Sequence, residues 1–244
     1  MPRIAGGTAD VAFPLTSPDA SVAPGNDHEV YRPQEDTGLL IDALSSVDLS
    51  GATMLDLCTG SGAVAIAGAL RGAAVTAVDS CPHAVDATRR AAARDGVGVA
   101  VMWSDLTAVD QTGFDLVTCN PPYVPTPPGT ESSVVGPIHA WNAGPDGRAV
   151  LDVVCAMLPR LLAEHGTALI VQSELAGVDT SVAALRHAGL RAKVVRERLI
   201  PFGPVVESRR ALLIREGLLD STSDKESIVV IRAQRISGSA GAST

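Results

Sequence analysis

Leu55-Asp56-Leu57-Cys58-Thr59-Gly60-Ser61-Gly62 carries an apolar run of strand length, residues 53–58, into a glycine turn, and an apolar stretch through about Leu70 follows. A buried strand, a tight turn and a helix in that order open an α/β unit. Gly60 and Gly62 lack Cβ atoms, so the backbone there can turn sharply and approach a ligand closely. In an open α/β sheet, ligands sit beyond the carboxyl ends of the strands where strand order reverses.

Working outward from the turn, the same alternation continues. Residues 35–44 predict a helix with Leu39, Leu40, Ala43 and Leu44 on one face. Residues 74–79 read as a second strand, and Pro82 suits the first turn of a helix running to about Asp95. Strands are expected at 97–103 and 114–119, then an irregular segment over 120–145. Val150, Val153, Val154 and Met157 recur at helical spacing within 146–157, and Pro159 is expected to bend or restart that helix. A buried strand at 167–172 and a helix at 180–187 follow, with Gly189 closing the helix. Residues 190–199, 205–214 and 228–232 read as strands. Alternating β and α units imply a seven-stranded, mostly parallel Rossmann-like sheet with helices on both faces, and an antiparallel hairpin at one edge. The expected divisions are a flexible arm at 1–27, the domain at 28–216, and an extension at 217–244 with a short strand and a disordered tail.

A chain of 244 residues can bury a full core without staples. No run reaches the roughly 18 apolar residues of a membrane span, and the start, Met-Pro-Arg, lacks an apolar signal region. A cytoplasmic protein without a membrane contact is expected. Cys58, Cys81, Cys119 and Cys155 form no CxxC pair and the histidines show no ligand spacing, so reduced, buried thiols and no metal are expected. A net charge of −8 argues against non-specific nucleic-acid binding. Eight basic residues nevertheless fall at Arg186, Arg191, Lys193, Arg196, Arg198, Arg209, Arg210 and Arg215, opposed only by Glu197 and Glu207. That run reads either as a contact for RNA or an acidic partner, or as the solvated face of edge strands protected by charge.

Asp79 ends the second strand nineteen residues after Gly60, where a carboxylate can accept both ribose hydroxyls of a nucleoside. The pattern Gly60-x-Gly62-x-x-Ala65 also satisfies the dinucleotide fingerprint, which would imply a nicotinamide oxidoreductase or a nucleotide-binding module. Asp56 and Asp105 shift the balance. A carboxylate at Asp56, inside the turn, would repel a pyrophosphate but suit a ligand with a sulfonium and an amino group. Asp105 ends the third strand and can accept from an adenine amino group. With Ser80 and Leu106 beside them, these acids are candidate cofactor residues. Strand-end acids also commonly cap the next helix.

Asn120-Pro121-Pro122-Tyr123 follows the fourth strand. Methyl transfer from a sulfonium to a planar NH2 group needs a delocalised lone pair aimed at the methyl. The Asn120 side-chain oxygen and the Pro121 carbonyl can accept the two N–H groups and fix that aim. Pro121 and Pro122 stiffen the loop, and Tyr123 can stack on the planar acceptor. These four are the candidate catalytic residues.

With the tetrapeptide in place, residues 29–215 resemble the class I S-adenosylmethionine-dependent methyltransferases of the HemK type, which methylate glutamine in translation release factors; relatives with the same tetrapeptide act on adenine in DNA. The segment Asp56–Gly62 resembles the family's cofactor loop, with Cys58 standing where the first glycine is frequent. Tyr31-Arg32-Pro33-Gln34-Glu35-Asp36-Thr37 resembles the short eukaryotic and archaeal-like branch. The resemblance implies that Tyr31, Pro33, Glu35 and Thr37 line the pocket, and that Cys58, Thr59, Gly60, Gly62 and Asn120 join the acids at S-adenosylmethionine. Trp141-Asn142-Ala143-Gly144-Pro145-Asp146-Gly147-Arg148 resembles the segment that closes the long loop. Only about 28 mostly polar residues precede the match, so the N-terminal docking domain of bacterial release-factor enzymes is not expected. The resemblance implies a protein acceptor such as a release factor, and a small zinc-binding activator subunit. An exocyclic amine of DNA or RNA is the alternative acceptor.

Overall fold

The computed structural model describes residues 30–126 and 143–235; the expected arm at 1–27, most of the expected tail, and Trp141 and Asn142 lie outside the described residues. In chain order the elements are α1 (Glu35–Leu44), β1 (Thr53–Leu57), α2 (Ala63–Leu70), β2 (Ala74–Asp79), α3 (Pro82–Arg94), β3 (Val99–Trp103) and β4 (Phe114–Cys119), then α4 (Ala149–Leu161), β5 (Leu162–Ser173), α5 (Val178–His187), β6 (Leu190–Pro201), α6 (Pro204–Arg215) and β7 (Lys225–Arg235). Across the sheet the order is β3-β2-β1-β4-β5-β7-β6. Strands β1 to β5 pair in parallel, and β7 is antiparallel to both its neighbours, β5 and β6. The chain steps outward from β1 to β2 and β3, then returns to β4 on the other side of β1. The reversal of order therefore lies between β1 and β4, and their carboxyl ends frame the site.

Apolar surface on both faces of the sheet is covered. Leu39, Leu40 and Leu44 of α1 and Val64 and Ala67 of α2 pack with Met54, Val75, Leu169 and Val230. On the opposite face, Leu151, Val154, Leu158 and Leu161 of α4 and Leu185 of α5 pack with Leu55, Leu57, Val117, Ile170 and Ile231. Truncating a fully buried leucine such as Leu57 or Leu158 costs about 2–5 kcal/mol. Glu35 and Asp36 occupy the first turn of α1, where carboxylates favour the partial positive charge of a helix N-terminus.

Two expectations need correction. The run 205–214, read as a strand for its Val205-Val206 pair, is the helix α6. Gly203 and Pro204 start it, with Pro204 in the first turn, and Val206, Arg209 and Leu213 form its buried stripe. The boundary at 216 also fails, because β7 is inserted between β5 and β6, so the chain through Arg235 belongs to the sheet. The connection between the antiparallel strands β6 and β7 is therefore a helix and its loops. Leu175, Val206, Leu213 and Leu219 give this connection a small apolar core of its own, with Val124 packed on it. Pro159 lies inside α4, which continues to Leu161.

Candidate active site

The glycine turn follows β1 and is held by short side chains. Asp56 is buried, and its two oxygens accept from the Thr118 hydroxyl of β4 at 2.6 Å and the Thr59 hydroxyl at 2.7 Å. Burial pushes this carboxyl up to about 6, against the hydrogen bonds from Thr118 and Thr59 that draw it down. Cys58 is left-handed at φ 56°, the one non-glycine among the described residues with positive φ. Holding a side chain there costs about 1 kcal/mol, so the turn keeps the conformation a glycine would take freely. Gly62 is required for another reason. A Cβ on it would lie 2.8 Å from Thr88 Cγ2 of α3, so the missing side chain lets α3 close on the turn. Thr88 in turn donates its hydroxyl to the Gly60 carbonyl at 3.0 Å.

Asp79 and Asp105 stand at the ends of the next two strands. Asp79 accepts from the Gly60 N–H at 2.9 Å and the Cys81 N–H at 2.9 Å, tying β2 to the turn. Asp105 is exposed and caps the short 3-10 helix Leu106–Ala108 through the Thr107 N–H and hydroxyl, and these bonds lower its carboxyl below the ordinary value. Capping and ligand binding are compatible, because each carboxylate oxygen has two lone pairs.

The tetrapeptide closes the other side. Asn120 donates from Nδ2 to Asp36 Oδ2 at 3.1 Å and to Thr37 Oγ1 at 3.3 Å. Both partners stand in the first turn of α1, and they orient the amide so that its oxygen is the free acceptor. Asp36 Oδ2 also accepts from the Tyr31 hydroxyl at 3.1 Å and the Tyr123 hydroxyl at 2.9 Å. One buried carboxylate thus positions three residues of the acceptor end. Burial, followed by the charge of Asp36, pushes both tyrosine hydroxyls up, so both remain protonated donors. Gly147 packs so closely on the Tyr123 carbonyl that any side chain there would collide with it. Thr126 N–H donates to the Gly144 carbonyl at 2.7 Å, and the described part of the closing segment thereby cradles the tetrapeptide.

A cavity of about 490 Å³ joins these parts. It is lined by Tyr31, Pro33, Thr37, Asp56, Cys58, Thr59, Gly60, Asp79, Ser80, Asp105, Leu106, Asn120, Pro121, Pro122 and Tyr123. Gly62 is the exception among the candidate residues: it packs behind the turn and does not reach the cavity. Sequence reasoning missed Asp36 and Glu226 as wall residues, together with the stretch from Ile200 to Val206 that leads into α6. Of these, only Asp36 had a local signal, an acid in the first turn of a helix beside Glu35. Six carboxylates, Glu35, Asp36, Asp56, Asp79, Asp105 and Glu226, line the cavity, and no Lys, Arg or His does among the described residues. A ligand bearing sulfonium and ammonium charges and no phosphate fits such a wall, as S-adenosylmethionine does. A dinucleotide pyrophosphate does not.

The basic run is divided among several places in the fold. Arg198 pairs with Glu35 at 2.8 Å and Asp42 at 2.9 Å, Arg186 bonds the Ala192 carbonyl, and Arg215 meets Glu216. Arg209 is buried and donates to the Pro125 carbonyl and the Thr126 hydroxyl, fastening α6 to the loop after the tetrapeptide. Arg191, Lys193 and Arg196 are exposed along β6, the sheet edge, where charge deters edge-to-edge pairing. No four His, Cys, Asp or Glu side chains, nor any three, are grouped as metal ligands among the described residues, and no helix there is long and apolar enough to cross a membrane.

The chain is similar to several known proteins. Residues 32–135 match the family model of the methyltransferase small domain. A putative protein N5-glutamine methyltransferase of Methanocaldococcus jannaschii is 32% identical over 176 residues, 71% of this chain and 87% of the relative. The release factor glutamine methyltransferase of Mycolicibacterium smegmatis is 35% identical over 186 residues, 72% of this chain but only 63% of the relative's length. Among solved structures, the E. cuniculi Mtq2-Trm112 complex, responsible for methylation of the eRF1 translation termination factor, shares the fold with a TM-score of 0.59 at 23% identity, covering 85% of this chain and 99% of that one.

Proposed function

The chain belongs to the HemK-type family of S-adenosylmethionine-dependent N-methyltransferases, and from that premise we propose that its acceptor is the side-chain amide of a protein glutamine, in a release factor or another translation protein. The observation that carries this reading is the orientation of Asn120 by Asp36 and Thr37 at the junction of the cavity's two ends. S-adenosylmethionine supplies a methyl on a positively charged sulfur, and the acceptor nitrogen takes that methyl and loses a proton. The residues of this chain hold the acceptor. Asn120 Oδ1 accepts one amide N–H and the Pro121 carbonyl accepts the other, which fixes the nitrogen and draws electron density towards it. Tyr123, fixed by Asp36, packs on the planar amide. Asp79 takes the ribose hydroxyls, Asp105 the adenine amino group, and the Asp56 carboxylate faces the cationic end.

A small activator subunit belongs to the same proposal, since the solved fold neighbour is a two-chain complex. Translation substrates would place the enzyme in the cytoplasm. Methyl-labelled S-adenosylmethionine, the purified enzyme and a cell extract, with Asn120→Ala as control, test the acceptor class. Label released by protease digestion is expected. Label released by nuclease instead would transfer the enzyme to the nucleic-acid branch and overturn the glutamine assignment.

A further inference from the structure

Glu226 lies near the start of β7 with 4% of its surface exposed, yet it lines the cavity beside Ile228. Because β7 runs antiparallel to β5, its first residues arrive at the edge where the parallel strands end. Ser173, the last residue of β5, donates its hydroxyl to Glu226 Oε2, and the Gly203 N–H at the start of α6 donates to the same carboxylate. The charged groups facing it are Glu174 and Asp36, with the hydroxyls of Tyr31 and Tyr123 also within its field. Desolvation, only partly offset by the Ser173 hydrogen bond, raises the carboxyl above its ordinary value. A packing role would be complete with Ser173 and Gly203. It leaves unexplained why a second buried acid stands against Asp36 at the acceptor end of a wall with no lining cation among the described residues.

We propose that Glu226, together with Asp36, makes the acceptor end of the cavity selective by charge: it favours a neutral or cationic acceptor and rejects one with a negative group beside the reacting nitrogen. This rests on the glutamine reading for its natural substrate, but the charge rule applies to any planar NH2 acceptor. Methylation moves positive charge from sulfur onto the acceptor nitrogen, and two fixed carboxylates favour that shift. An aspartate next to the acceptor glutamine, or a carboxylate beside the exocyclic amine of a base, would meet the same two charges in a site where water screens poorly. Glu226 is thereby a specificity-determining residue, distinct from Asn120, which holds the nitrogen itself.

Three glutamine peptides that differ only in having lysine, serine or aspartate on both sides of the glutamine test the rule. Their affinities for the cofactor-free enzyme are read by fluorescence anisotropy, and their kcat/KM values by methyl transfer. Cytosine and 5-carboxycytosine, whose carboxylate stands beside the exocyclic amine, form a second pair, read by calorimetry on enzyme saturated with S-adenosylhomocysteine so that only the acceptor end is open. The aspartate peptide is expected to be about tenfold poorer than the serine peptide, and the lysine peptide at least as good as it. 5-Carboxycytosine should likewise bind more weakly than cytosine. Glu226→Gln should shrink these ratios to about threefold or less with unchanged S-adenosylmethionine affinity, while Glu226→Asp, which restores the charge, keeps them. If Glu226→Gln does not fold, the charge series on the unaltered enzyme and on Glu226→Asp decides. With the cofactor end filled, binding of the bases alone, ranked by charge, would sink the glutamine reading and leave the rule standing. Equal affinities across charge, ratios unchanged in Glu226→Gln, or no binding of any probe would overturn the proposal.

Discussion

The two ends of the cavity are built in different ways. The cofactor end comes from three successive strand ends and the turns that follow them. Asp56, Asp79 and Asp105 lie at the carboxyl ends of β1, β2 and β3, and each bonds a donor close by in the chain or on the neighbouring strand. The acceptor end is gathered from the first turn of α1, the loop after β4, the start of α6 and the start of β7. Asp36 is bonded to Asn120 and Tyr123 across more than eighty residues of chain. The cofactor end is thus a property of consecutive βα units, whereas the acceptor end exists only once the sheet is complete. Chemistry common to many methyltransferases can sit on the first, and acceptor choice can vary on the second.

Substitutions can separate the two ends. The largest effect is expected for Asn120→Ala, a fall in kcat of about 10³-fold with S-adenosylmethionine affinity unchanged, read by single-turnover transfer and calorimetry. A comparable loss of cofactor affinity would mean that the two ends are not separable at Asn120.

Next in size is the pH response of Asp56. Its folded carboxyl at about 6 lies above the ordinary value of 3.8, so the native state holds its proton more tightly than the unfolded chain. The stability it contributes is complete below about pH 4, declines as pH rises to about 6, and stays roughly 3 kcal/mol lower above that. Asp56→Asn removes this slope, so denaturant titrations should show the variant gaining on the wild type between pH 4 and 6. A constant difference over that window would show that Asp56 is not desolvated as the structure places it.

Asp36→Asn should lower kcat roughly thirtyfold, because Asn120 and Tyr123 lose the carboxylate that orients them, while S-adenosylmethionine affinity changes little. An unaltered kcat would remove Asp36 from the acceptor end. The smallest of these effects is Asp79→Ala, expected to weaken S-adenosylmethionine about tenfold with kcat at saturation nearly preserved. A kcat defect at saturating cofactor would mean that the turn transmits disorder to the acceptor side, and the contrast between the two ends would blur.

Legibility in the sequence follows the same division. Strands β1 to β4 and their intervening helices were readable because each is a continuous apolar run punctuated by glycine, proline or an acid. The acids at strand ends were readable because a parallel strand places its last residue at the functional edge. Asn120–Tyr123 was readable for the same reason. The strand expected at 205–214 was misread because Val205 and Val206 favour strands locally, while the buried stripe of Val206, Arg209 and Leu213 that makes α6 a helix depends on Val124 and Pro125 from another loop. Gly62 was read as a residue that lets backbone turn and approach a ligand; it does turn, at φ 84°, but the neighbour that its missing side chain admits is Thr88.

What the sequence determined by itself was the α/β alternation, the glycine turn, the three strand-end acids and the tetrapeptide, since these rest on local spacing and on the fixed direction of parallel strands. The tertiary structure decided that the strand last in the chain slips between β5 and β6. It thereby decided that Glu226 faces the same cavity as Asp36, and that a basic run became separate ion pairs and an edge. The physical reason is that an antiparallel insertion reverses which end of a strand meets the site, and no local pattern records that reversal.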